Sequence, residues 1–222
     1  QIVDWHLPGA VWAIDGTWLD QPVAGVGRRA LVVAELHSRQ VLALRAVPGE
    51  RAIAVEQVLT SLITVHGAPL VLKLDNGSAF TAKRFAGFCR AHDITLLHSP
   101  VRRPRFNGTC EVSGRWAKHR AQSAAALRGS AGPLCQADLD AAVTFLGPMQ
   151  EVDPALRVRF LALVSEQTVA VAAQRGVALD DTTADHVRRS LARVAVQRAL
   201  MLCHILTIQD RGYRRWLSAH AA

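Results

Sequence analysis

The chain has 222 residues, half of them hydrophobic, a formal net charge of +8 and a pI near 10.3. That length holds one sizeable domain or one domain with a small appendage, and the basic balance points to a polyanionic partner. No apolar run approaches the roughly 18 residues of a transmembrane helix, no secretory signal pattern is visible, and the four cysteines (89, 110, 135 and 203) form neither a C-x-x-C pair nor a disulfide framework.

Residues 10–15 (Ala-Val-Trp-Ala-Ile-Asp) read as a first strand. Ala30–His37 and Val41–Val47 are apolar runs joined by Ser38-Arg39-Gln40, the pattern of an antiparallel hairpin. Residues 51–65 place Val55, Val58, Leu59, Leu62 and Ile63 three and four apart, which predicts a helix with one buried face, stopped at Gly67. Pro69–Leu74 reads as a short buried strand, Phe80–His92 as a helix and Ile94–His98 as a fifth strand. Pro100–Gly108 is an Arg- and Pro-rich loop with an Asn-Gly break, and a helix follows over Thr109–Leu127. Ser130-Ala131-Gly132-Pro133 marks a boundary between a first region, 1–130, and a second, 131–222. The second reads as all helix, over Asp138–Phe145, Leu156–Ala173 and Asp185–Ile208, the last with Arg188, Arg189, Arg193 and Arg198 as its basic positions.

Three carboxylates stand out against this frame. Asp15 and Asp75 each end a predicted strand, in Ala13-Ile14-Asp15-Gly16-Thr17 and Leu72-Lys73-Leu74-Asp75-Asn76-Gly77, and Glu111 opens a predicted helix after Asn107-Gly108. Each has an ordinary structural reading. Asp15 can cap a turn with Gly16 and Thr17, Asp75 can shape the Asn-Gly turn, and Glu111 can favour the helix dipole. Together they offer the converging hard oxygen donors that two divalent ions need for phosphoryl transfer.

The 59 residues between Asp15 and Asp75, the 35 between Asp75 and Glu111, the Asp-Asn-Gly turn and the Pro104-Arg105-Phe106-Asn107-Gly108 approach to the glutamate resemble one family. It is the retroviral-integrase-like DDE transposases, as found in bacterial insertion sequences, and the resemblance covers roughly residues 8–125. The element order is that of their RNase H-like fold. The expected architecture is therefore α/β, a five-stranded mixed sheet flanked by helices, with an all-helical C-terminal extension. The resemblance implies Asp15, Asp75 and Glu111 as catalytic residues and as ligands of two Mg²⁺ (or Mn²⁺) ions. It also implies cleavage of transposon ends followed by strand transfer into target DNA, by a homo-oligomer on DNA. The expected setting is the bacterial cytoplasm, on the nucleoid during action, with no membrane partner.

The basic residues add an expected DNA surface. Residues 101–125 hold Arg102, Arg103, Arg105, Arg115, Lys118 and Arg120 against one acid, Glu111. Arg115 and Lys118 lie four and seven positions after Glu111, on its helix face. They are candidates for phosphate contact, together with Arg102, Arg103, Arg105 and Asn107. The bland alternatives are a solvated loop and a simple Arg115–Glu111 pair. Asn107-Gly108 also shapes the loop that delivers Glu111, His98 reads as a satisfied core or rim histidine rather than a ligand, and Trp116 as a core residue rather than a base-stacking platform. Three departures from the family stand out. Ala79 replaces an acid common after the Asp-Asn-Gly, the segment after Leu127 fits loosely, and no zinc or helix-turn-helix module precedes the core. The chain starts with Gln rather than Met and is expected to be a piece of a longer protein. Two rival functions remain on sequence grounds: a nuclease of the same fold that only hydrolyses strands, and a decayed or domesticated DNA-binding module without activity.

Overall fold

The computed structural model describes residues 2–49, 51–100, 106, 108–129, 132–144 and 147–209. The first strand, β1 (Ile2–Trp5), stays outside the main sheet. The main sheet is built around β2 (Val11–Val23), a 13-residue strand. Antiparallel β3 (Gly27–Glu35) and β4 (Val41–Ala46) extend it on one side, and parallel β5 (Val71–Leu74) and β6 (Thr95–His98) on the other. The order is β4-β3-β2-β5-β6, a mixed five-stranded sheet.

Side chains alternate along each strand, so each face of the sheet has its own core. Trp12, Ile14, Leu72 and Leu74 pack against Val55 and Leu59 of α1 (Ala52–His66) and Phe85. Gly67 ends α1 at φ 74°, a left-handed value that glycine tolerates, and its N–H donates to the Ile63 carbonyl. The expected helix over Phe80–His92 is instead two, α2 (Ser78–Thr81) and α3 (Lys83–Ala91). Ala82 between them is extended, and the Thr81 hydroxyl bonds back to the Gly77 carbonyl, closing the short turn.

The opposite face carries Val11, Ala13 and Val71 under α4 (Gly108–Leu127) and the helices that follow. The buried stripe of α4 is Cys110, Ser113, Gly114, Ala117, Ala121 and Ala125, all small. Small side chains let the helix lie close to the strands. A Cβ on Gly114 would sit 3.3 Å from Val32 Cγ1.

Beyond α4 the chain covers the edge at β4. Thr144 donates its N–H to the Val41 carbonyl and accepts the Val41 N–H on its hydroxyl, at 3.0 and 2.8 Å. An exposed edge would be a template for foreign strands, and this segment occupies it. The same tie limits α5 to Gln136–Asp140, short of the expected Asp138–Phe145, whose last residue lies outside the described residues. Asp138 also moves the helix start forward, since its carboxylate accepts the Cys135 N–H at 2.8 Å.

The C-terminal helices α6 (Pro154–Gln174) and α7 (Asp185–Leu202) enlarge the core beside α4, through Phe160, Val196, Ala199 and Leu200. Arg157 fastens α6 to the chain before β5 and β6, donating to the carbonyls of Ala68, Pro69 and Asp93. The region is helical as expected, with one correction. The last helix stops at Leu202, not Ile208, His204 turns the chain at φ 57°, and β7 (Leu206–Gln209) pairs antiparallel with β1.

Candidate active site

Asp15 does not end its strand. It lies inside β2, opposite Val32 of β3, because Gly16, Thr17 and Trp18 continue the pairing and Arg29 stacks 4.0 Å over the Trp18 ring. Its other neighbour is β5, where Val11, Trp12 and Ala13 pair with Val71, Leu72 and Lys73. Carried two residues further, that parallel register brings Asp15 level with Asp75 at about 5 Å between backbones. Val11, Ala13 and Val71 face the α4 side, and alternation puts Asp15 there too.

Asp75 follows the last residue of β5 and is fixed from several directions. Its Oδ1 accepts the Gly77 N–H at 2.8 Å, closing an Asx turn. His98 Nδ1 meets its carbonyl at 3.1 Å, so that nitrogen carries the proton. Asn76 reaches across to donate to the Ser99 carbonyl at 2.8 Å, and Ser99 returns both its N–H and its hydroxyl to Leu74. Asn76 is thus a tie between strand ends. His98 is buried, and burial lowers its pKa, with the nearby Arg189 of α7 adding to the shift.

Glu111 is exposed in the first turn of α4. Two hydrogen bonds set the helix against β2: Lys118 Nζ to the Trp18 carbonyl at 3.3 Å, and Gln122 Nε2 to Asp20 Oδ2 at 2.6 Å. Four helix residues span about 6 Å and two strand residues nearly 7 Å, so the elements run in step. Seven residues back from Lys118, about 10.5 Å, stands Glu111, and three strand residues back from Trp18, about 10 Å, stands Asp15. The charges acting on Cys110 agree with this placement. Burial pushes the Cys110 thiol well up, and the Asp15 and Glu111 charges push it further.

Lys73 is the residue of this site that strand periodicity did not mark. It is buried on the α4 face, donates to the Phe106 carbonyl and lies 4.5 Å from the Phe106 ring centre. Burial lowers its pKa to about 8 against the opposing pull of Cys110 and Glu111. It joins the strand before Asp75 to the segment before Glu111. The signal was a single cation in the apolar run Val71–Leu74.

Arg115 is exposed one turn beyond Glu111 and, among the described residues, forms no ion pair with it. Arg102, Arg103, Arg105 and Asn107 lie outside the described residues. Trp116 is 65% exposed, which corrects its reading as core: the stripe facing the sheet is made of the small residues, and Trp116 points away from it.

Among the described residues, no group of three or more His, Cys, Asp or Glu side chains lies close enough to hold a metal ion. Backbone register brings the three carboxylates to one end of the sheet without closing a ligand shell. The donor chemistry fits Mg²⁺ or Mn²⁺, which take carboxylate oxygens. Glu111 stands on an exposed helix edge.

Residues 6–104 match the family described as Integrase core domain, a stretch holding Asp15 and Asp75 and ending before Glu111. Uncharacterized protein K02A2.6 of Caenorhabditis elegans is 29% identical over 107 residues, 48% of this chain. The Intracisternal A-particle Pol-related polyprotein of mouse intracisternal A-particle MIA14 is 37% identical over 70 residues, 32% of this chain. The chain spans 8% of the length of each of these curated relatives. The HTLV-2 integrase catalytic core domain, solved with magnesium in a dimeric form, superposes with a TM-score of 0.51 at 20% identity, covering 61% of this chain and 84% of that one. No described helix is long and apolar enough to cross a membrane. The likeness to the integrase core domain family thus lies in residues 6–104, and the sheet they build, with its flanking helices, has the RNase H-like fold.

Proposed function

We propose that this chain is the catalytic core of a DNA transposase or integrase, which cuts DNA ends and joins them to target DNA. What supports the reading is the parallel register of β2 and β5, which leads towards Asp15 and Asp75, and the seating of α4, which carries Glu111, along β2, with the two aspartates within the family match. Asp15 and Asp75 would hold two divalent ions from adjacent parallel strands, and Glu111 of α4 would be their third protein ligand. Bound Mg²⁺ or Mn²⁺ would activate the attacking hydroxyl and stabilise the leaving 3′-oxygen. Magnesium accompanies the HTLV-2 integrase core, which supports the choice of ion.

The chain's own residues do the positioning. The Asx turn and the His98 and Asn76 ties hold Asp75, so its carboxylate enters the site with little freedom left to lose. Lys73 links the Asp75 strand to the approach of Glu111. Arg115 and Lys118 follow Glu111 along one helix edge, where they hold phosphates of the bound end; Arg102, Arg103, Arg105 and Asn107 belong to the same proposed surface. Residues 1–130 form the catalytic core and 131–222 a C-terminal region, whose described helices pack beside α4. The acting form is a homo-oligomer on DNA.

The test is Mn²⁺-dependent strand transfer from a labelled pre-cut DNA end into a plasmid, comparing the parent with Asp15→Asn, Asp75→Asn and Glu111→Gln. Joined product is expected from the parent alone. Each change removes a charged ligand and no phosphate contact, so DNA binding should persist. Joining retained in Asp75→Asn would refute its role, and nicking without joining by the parent would favour a nuclease.

A further inference from the structure

On the side of α4 turned away from the carboxylates lies an open groove of about 460 Å³. Its apolar wall is Trp116, 65% exposed, with Val112, 50% exposed, one turn before it. Val41 and Thr144 form the opposite side, pinned to each other by two backbone-mediated hydrogen bonds. Arg39 and Arg120 are its charged residues, and none of the described residues lining it is acidic.

The groove is built on rigid parts. Arg39 sits at φ 61° in the β3–β4 turn. The buried Glu35 carboxylate holds that turn by accepting from the N–H groups of Gly9, His37 and Ser38 and from the Ser38 hydroxyl. Trp116 and Arg120 are one turn apart on a 20-residue helix.

A largely exposed indole, its ring centre 6.5 Å from that of His119, in one groove with two arginines suits a planar, electron-rich ring attached to a phosphate. We propose that this groove binds an unpaired nucleotide of DNA, its base stacked on Trp116 and its phosphate held by Arg39 and Arg120. A base inside a duplex is stacked on both faces and has none free for a side chain, so the occupant is single-stranded. Trp116 lies five residues from Glu111, about 7.5 Å along the helix axis, on a different face of α4 from Glu111 and Arg115. The proposal rests on the reading of the chain as a DNA-processing core, but its test needs no chemistry.

The full chain is titrated, with EDTA present, against a dye-labelled short oligothymidine and against a duplex of the same length, following fluorescence anisotropy. Trp116→Ala is expected to weaken single-strand binding about 5- to 100-fold and to leave duplex binding within about twofold. Trp116→Phe should restore most of the loss. The Arg39→Ala/Arg120→Ala pair should reduce the salt dependence of single-strand binding by about one to two units of slope. Unchanged single-strand affinity in Trp116→Ala overturns the proposal, as does an equal loss for duplex. A change in sedimentation of that variant without DNA, with affinity intact, also overturns it and makes the groove a contact between protomers. Failure of the carboxylate reading would show instead as absent joining by the parent, which this binding test does not involve.

Discussion

Gly77→Ala is a narrow perturbation of the site because it acts on the Asp75 carboxylate and little else. Gly77 has φ −57° and ψ 152°, values open to any residue, so alanine brings no backbone strain. Its Cβ, however, would stand 3.0 Å from Asp75 Oδ1 and 3.4 Å from Phe80 Cδ2. Relief to an ordinary contact moves the carboxylate by about 0.4 Å and stretches the 2.8 Å bond from the Gly77 N–H. A 1 Å misplacement in an active site costs roughly 100-fold, so this shift should slow strand transfer about five- to tenfold. Stability should change by less than about 1 kcal/mol, since the weakened hydrogen bond is offset by the lower unfolded-state entropy of alanine. The assay pairs Mn²⁺-dependent joining with urea unfolding. Joining within twofold of the parent, with folding intact, would refute the claim that this contact places Asp75. A large loss of stability would show that the glycine serves the fold.

Two further predictions concern ion pairs that tie elements together. Arg84→Ala removes a bidentate partner, at 2.8 to 3.0 Å, from the nearly buried Glu56 carboxylate that joins α1 to α3. It should cost about 2 kcal/mol in urea unfolding, and an Arg84→Met/Glu56→Leu pair should cost less, because no charge is left stranded. Asp138 is held by Arg128 and the Cys135 N–H, and the Arg128 hydrogen bonds lower its pKa to about 2. Its folded pKa lies below the unfolded value near 4. The stabilisation is therefore complete above about pH 4 and lost as pH falls towards 2. The gap in unfolding free energy between the parent and Asp138→Asn should close over that range, and a constant gap would contradict the linkage.

The strands and long helices were legible because their signals are local. Apolar runs marked β3 to β6, and three-four spacing marked α1. The carboxylates stood out as candidates because their flanks are as particular as their spacing. What the sequence hid depends on tertiary choice. α4 buries Ala117, Ala121 and Gly114, whose hydrophobic signal is weak, so its bulkiest residue, Trp116, looked like the anchor when it is the exposed one. Asp15 looked terminal because polar residues follow it, yet the pairing of Thr17 and Trp18 with β3 carries the strand on. The break at Ala82 and the stop at Leu202 have no glycine or proline to announce them.

The pairing of β1 with β7 has a consequence for synthesis. Ile2 is matched to Gln209 and Trp5 to Leu206, and His6 adds a bond to the Ile205 carbonyl, so this ladder joins segments some 200 positions apart. β1 leaves the ribosome some 200 residues before β7, and its hydrogen-bonding groups stay on offer over that interval. Such late closure is slow, and it exposes the nascent chain to mispairing with neighbours on the same message. Ending the chain after Cys203 would make that wait permanent, leaving β1 as a bare edge on an otherwise assembled core.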